Sequence, residues 1–164
     1  MPRAKLTHVD EKGAARMVDV AEKATTLRRA VAQATVVFSA EAFRLLRANK
    51  LAKGDALAVA RLAGIQAGKR TAEWIPLCHT VPLTKLDVDI DLAAPDRAAV
   101  VTATAVARWT TGVEMEALVA ASAAALALYD MAKGIDRGIV VRKIELLEKS
   151  GGRTGIWRRS TRRP

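Results

Sequence analysis

The sequence predicts an α+β fold, an antiparallel sheet with helices packed on one face. Two observations carry this. Leu86, Val88, Ile90 and Leu92 alternate with Asp87, Asp89 and Asp91, the period of a strand wet on one side and buried on the other. Residues 113 to 133 form a long Ala- and Leu-rich run opened after Gly112 and closed before Gly134, the pattern of one helix with Gly134 as C-cap. The other segments mix the two periods.

In chain order, residues 1–15 are polar and read as a loose arm, and residues 16–150 as one catalytic α+β domain. Met17, Val18 and Val20 suggest a short strand. Val31 to Phe38 is β-branched and weakly alternating, a second strand. Ser39 precedes Ala40-Glu41 as N-cap of a helix reaching about Asn49. Lys53-Gly54-Asp55 is a turn, with Asp55 capping a helix that fades near Arg70. After the Leu86–Leu92 strand, Ala93-Ala94-Pro95-Asp96-Arg97 turns the chain, and Ala99 to Ala107 returns as the hairpin partner. Ile139 to Leu147 gives a last strand. Residues 151–164, Gly- and Arg-rich, read as a flexible basic tail.

Composition narrows the function classes. Half of the 164 residues are hydrophobic, so a core can form, but aromatics are only 4%, so it is built from thin side chains, and part of the apolar surface is expected between subunits. The net charge is +10, and five arginines (Arg153, Arg158, Arg159, Arg162, Arg163) fall in the final segment, leaving a mildly basic body suited to a phosphate-bearing ligand. The single cysteine, Cys78, excludes an internal disulfide framework. No membrane span is expected, and the polar start makes a cytoplasmic protein the default. No Walker loop, dinucleotide fingerprint or serine-nucleophile elbow is present.

Five places hold polar groups that a bland domain need not have. Leu77-Cys78-His79 follows Pro76. A lone histidine is most often structural, and with two His and one Cys in the chain a zinc site would need carboxylates. Thr111 and Glu114 have capping-box spacing, which excuses Glu114 but not Glu116. Asp130 and Lys133, three apart, share a helical face, either as a solvated ion pair or as an acid–base pair. Lys53 on a glycine turn before a helix start is a plausible phosphate contact or an ordinary surface lysine. Lys69-Arg70, with Arg28 upstream, could neutralise a polyphosphate or merely be solvated.

Singly these signals are weak; in this order they resemble one family. Leu6-Thr7-His8, Arg16-Met17-Val18-Asp19-Val20, Lys53-Gly54-Asp55, Ala60-Arg61-Leu62-Ala63-Gly64-Ile65, Lys69-Arg70-Thr71, Ile75-Pro76-Leu77-Cys78-His79, Thr111 to Leu118, Tyr129-Asp130-Met131 with Lys133, and Leu147 to Gly152 together are similar to the cyclic pyranopterin monophosphate synthases of molybdenum-cofactor synthesis. The resemblance covers about Leu6 to Gly155. It implies a ferredoxin-like antiparallel sheet with helices on one face, assembled as a homohexamer, a trimer of dimers with active sites at subunit interfaces. It implies a GTP-derived cyclic nucleotide as substrate, pyrophosphate as leaving group and no cofactor, and no residue is assigned as a metal ligand. Asp130, Lys133 and Lys53 match the family's active-site residues. Leu77, Cys78, His79, Met115 and Glu116 match its substrate contacts, with Glu114, Arg28, Asp19 and Lys69 nearby. Departures are Thr80 where proline is usual, which changes the rigidity beside His79, and Gly68 where alanine is usual. Trp74 and Trp109 stand at variable positions.

Two rivals remain at this stage. A nucleic-acid-binding module would use the basic tail, but no aromatic stacking motif lies on a strand. A catalytically dead subunit that kept the scaffold is disfavoured by retention of Asp130 and Lys133.

Overall fold

The computed structural model describes residues 17, 19–20, 22–153 and 155–160. Leu6-Thr7-His8, Arg16 and Val18 lie outside the described residues. The elements are β1 (Thr26–Val37), α1 (Ala40–Arg47), α2 (Ala56–Gly68), α3 (Thr71–Trp74), β2 (Lys85–Ala93), β3 (Ala98–Trp109), α4 (Glu114–Ala132), β4 (Val140–Ser150) and β5 (Trp157–Arg158). The strands form one antiparallel sheet in the order β2-β3-β1-β4-β5. Without β5, this is the split β-α-β arrangement, in which each crossover returns its strand one place beyond a neighbour.

Alternation sets the faces of the sheet. Ala30, Ala32, Ala34 and Val36 of β1, with Val101, Ala103, Ala105 and Ala107 of β3, point inward and are buried. Above them lie Ala117, Ala120, Ala121, Ala124 and Leu128 of α4. Small residues on both sides let the helix sit close to the sheet. α2 crosses α4 equally tightly: a Cβ on Gly64 would stand 2.8 Å from the Ala120 carbonyl oxygen and 3.2 Å from Ala124 Cβ. α4 has the length and apolarity of a membrane crossing, yet 61% of its apolar stretch is buried inside the protein, the environment of a core helix.

Both helix N-caps expected upstream are present. Ser39 Oγ accepts from the Ala42 N–H at 3.3 Å, and Asp55 Oδ1 from Ala58 N–H at 3.0 Å. Other expectations need correction. Met17, Asp19 and Val20 are in no strand. β1 begins at Thr26, five residues before the apolar alternation, because Arg28 and Arg29 occupy ladder positions opposite Ala107 and Val106. α4 starts from Val113 with no side-chain cap, so Thr111 and Glu114 form no capping box. Its C-cap is Lys133, and Gly134 lacks the left-handed φ of a capping glycine. Trp157 and Arg158 pair with Lys149 and Glu148 and extend the sheet by two residues.

Candidate active site

Both ends of α4 carry titratable groups. At its C-terminal end, Asp130 is held between two lysines. Lys53 Nζ lies 2.6 Å from Oδ2 and also donates to the Asp130 carbonyl oxygen at 2.9 Å. Lys133 Nζ lies 2.6 Å from Oδ1. Lys53 reaches this point because the turn at Gly54, with φ +92°, ends the loop from α1 and starts α2 beside it. The C-terminal carbonyls of a helix favour cations, so the two ammoniums stand where the helix itself attracts them. The paired lysines pull the Asp130 carboxyl down to about 2, chiefly through the hydrogen bonds from Lys133 and Lys53. Lys133 is pushed up by the same contact. The cluster is exposed, with about half of the Asp130 side chain open to solvent.

At the N-terminal end of α4, the first turn presents Glu114, Met115 and Glu116 to the loop bearing Leu77, Cys78 and His79. These six residues line one cavity of about 580 Å³, together with Lys23 and Arg153. Glu116 is only 4% exposed. Burial, with Glu114 nearby adding to it, raises its carboxyl to about 7 against the opposing effect of a backbone hydrogen bond. Burial and then the Glu116 charge push the Cys78 thiol up, so it is a poor nucleophile near neutrality.

A second, adjoining cavity of about 890 Å³ shares Glu114, Lys23 and Arg153 and adds Asp19, Arg28 and Lys149. Lys149 Nζ lies 3.5 Å from a Glu114 oxygen. Lys69 meets His79 and Glu116 in a small cleft beside Arg70. Nine of the twelve candidate residues thus gather around the start of α4, and Lys53, Asp130 and Lys133 form the other group. Lys149, Lys23 and Arg153 were not assigned to the site from sequence, Arg153 being read only as one of the tail arginines. Only the Leu147 to Gly152 block pointed toward Lys149; nothing in their spacing marks Lys23 or Arg153.

Fold and site together define a ferredoxin-like α+β protein with a lysine-clamped carboxylate at one end of its core helix and a cation-bearing cavity at the other. Residues 17–152 match the MoaC family, and the chain belongs to it. It is 55% identical over 156 residues to the cyclic pyranopterin monophosphate synthase of Thermomicrobium roseum, covering 95% of this chain and 94% of that one. It is 52% identical over 155 residues to cyclic pyranopterin monophosphate synthase 1 of Mycobacterium bovis, covering 94% and 91%. Molybdenum cofactor biosynthesis protein 1 of Bos taurus is 53% identical over 155 residues, which are 94% of this chain and 24% of that longer protein.

Proposed function

We propose that this chain is a cyclic pyranopterin monophosphate synthase, a phosphorus–oxygen lyase of molybdenum-cofactor biosynthesis. It converts the GTP-derived (8S)-3′,8-cyclo-7,8-dihydroguanosine 5′-triphosphate into cyclic pyranopterin monophosphate and pyrophosphate. The observation that carries this is the Lys53–Asp130–Lys133 cluster on a chain of this family. A cytoplasmic enzyme that needs no cofactor fits the reading.

The chemistry requires proton transfers while the purine ring opens and rearranges. A ribose-derived hydroxyl then attacks the phosphorus nearest the sugar. A new P–O bond forms as the hydroxyl gives up its proton, and the bond from that phosphorus to the oxygen bridging it to the next phosphate breaks. Pyrophosphate departs with that oxygen and the bonding pair, the released proton passing to pyrophosphate or solvent. Asp130 and Lys133 serve as the proton-transferring pair. Asp130 is ionised at neutral pH, so Lys133 enters as the donor and Asp130 as the group that aims it. Lys53, with Lys69, offsets charge on the phosphates and on the leaving pyrophosphate. His79 and Glu116 orient base and ribose, with Leu77, Cys78 and Met115 as the wall around them.

One subunit does not unite these groups. Glu116 and Asp130 are fourteen residues apart on α4, about 21 Å along its axis at ~1.5 Å per residue. The complete site therefore takes Lys53, Asp130 and Lys133 from one protomer and His79, Met115 and Glu116 from another, within a homohexamer. Both α2 and α4 are apolar nearly all round, with Val59, Leu62 and Leu126 exposed, which supports further burial between subunits. The test is turnover: the purified protein incubated with the cyclised GTP intermediate should yield cyclic pyranopterin monophosphate and one equivalent of pyrophosphate. Absence of both products from a folded oligomer would refute the assignment.

A further inference from the structure

Arg28 borders the 890 Å³ cavity, and its charge alone suggests a phosphate contact. Its hydrogen bonds suggest something else. Nε donates to the Trp109 carbonyl oxygen at 3.2 Å, and Nη2 to that of Thr110 at 3.0 Å. Those carbonyls belong to the last residue of β3 and the first of the loop entering α4. On its other side the guanidinium lies against the backbone of Gly152. A Cβ there would fall on Nη1 and stand 2.8 Å from Cζ. Gly151 and Gly152 both hold left-handed φ, +98° and +71°, and a Cβ on Gly151 would stand 3.1 Å from Arg28 Cδ. Three stretches of chain, β1, the entry to α4 and the end of β4, meet on this one side chain.

We propose that Arg28 is a positioning residue: it clamps the entry of α4 to the Gly151–Gly152 turn and thereby sets where Glu114, Met115 and Glu116 stand. α4 needs such a device, because its start at Val113 has no side-chain cap. The planar fork suits the task. It holds two successive carbonyls at once, which the point charge of a lysine does not. The two glycines suit it as well, since any side chain at Gly152 would occupy the guanidinium's place. The Lys149–Glu114 contact ties the same junction from the β4 side. This inference rests on the activity proposed above.

The test compares Arg28→Lys and Gly152→Ala with the wild-type oligomer, reading kcat, KM and inhibition by added pyrophosphate. A clamp predicts that kcat falls at least about tenfold in both variants while pyrophosphate inhibition stays within about twofold. Gly152→Ala keeps the arginine charge, so a phosphate contact does not require it to share that loss. Weakened pyrophosphate inhibition in Arg28→Lys, with or without loss of kcat, overturns the clamp, as does unchanged kcat. Should Gly152→Ala fail to fold, Arg28→Lys decides alone, since it keeps the charge and loses the fork. Amide hydrogen exchange over residues 110–116 supplies a readout independent of turnover. It should accelerate about tenfold or more in Arg28→Lys. Unchanged exchange refutes the clamp even if the wild-type protein proves inactive on the proposed substrate, an outcome that would sink the functional reading alone.

Discussion

Asp130 and Glu116 stand at opposite ends of one helix, and their surroundings shift their carboxyls in opposite directions. Asp130 is solvent-exposed and lysine-paired, with its carboxyl pulled to about 2; Glu116 is buried and raised to about 7. Two carboxyls pushed apart in this way can take different parts in one reaction at neutral pH. Asp130 remains an anion that holds two ammoniums in place. Glu116 alone among them gains or loses a proton in the working range.

The buried carboxyl carries a stability signature. Burial raises the Glu116 carboxyl to about 7 in the folded chain from an ordinary glutamate value of 4.5, so the folded state binds more protons than the unfolded one between those values. Stability is therefore greatest below pH 4.5 as far as this group is concerned, and is lost as pH rises through 7. The loss reaches up to about 3 kcal/mol. Glu116→Gln should remove the slope, raising the melting temperature relative to wild type at pH 8 more than at pH 5. Equal differences at the two pH values would show that Glu116 ionises freely.

On the proposed mechanism, Lys133 is expected to have the larger catalytic share of the lysine pair. Lys133→Ala should lower kcat by about 10²–10⁴-fold, the usual range for a lost proton-transferring group. KM should change less. Lys53→Ala removes a charge from the phosphate side and one of the two hydrogen bonds to the Asp130 carboxylate, so both kcat and KM should suffer. Steady-state kinetics on the cyclised substrate separate the two patterns. Near-normal turnover by Lys133→Ala would return the Asp130 pair to the status of an exposed ion pair worth little.

The helix crossing gives a prediction about stability alone. Gly64→Ala places a methyl 2.8 Å from the Ala120 carbonyl oxygen, a backbone atom with no rotamer to escape into, and 3.0 Å from Val88 Cγ2. Overpacking of this kind costs about 1–3 kcal/mol, against roughly 1 kcal/mol gained in helix propensity. A net fall in the denaturation midpoint is expected, with activity retained at low temperature. A midpoint equal to or above wild type would mean that α2 and α4 can move apart freely.

Much of this was legible in the residues. The Leu86–Leu92 alternation, the caps at Ser39 and Asp55 and the long apolar run of α4 each locate an element through a local rule, and β2, β3 and α4 lie where those rules put them. The rules fail where tertiary contact replaces local pattern. Arg28 and Arg29 hide the first half of β1 because they are held by the Trp109 and Thr110 carbonyls and by Glu148. α3 escapes notice because four residues offer no period. The capping box at Thr111 had the right spacing, but the chain enters α4 through Val113 instead. At the site, the pairing of Asp130 with Lys133 follows from helical spacing. The reach of Lys53 across 77 positions of sequence does not, and it came only with the family resemblance.

The proposed division of the site between protomers leads to the strictest prediction. Asp130→Ala disables the lysine-clamped half-site and leaves the Glu116 half intact; Glu116→Ala does the reverse. Each homo-oligomer should be inactive or nearly so. In mixed oligomers, some interfaces combine a wild-type Lys53–Asp130–Lys133 cluster from one variant with a wild-type His79–Glu116 cavity from the other. Those interfaces should turn over, so activity reappears on mixing although no complete chain is present. Subunit exchange verified by mass spectrometry, followed by product assay, distinguishes this from failed mixing. A site contained in one protomer requires both clusters to reach a single ligand across the roughly 21 Å between their anchor points on α4. In that case no mixture of the two variants regains activity, whatever their proportions.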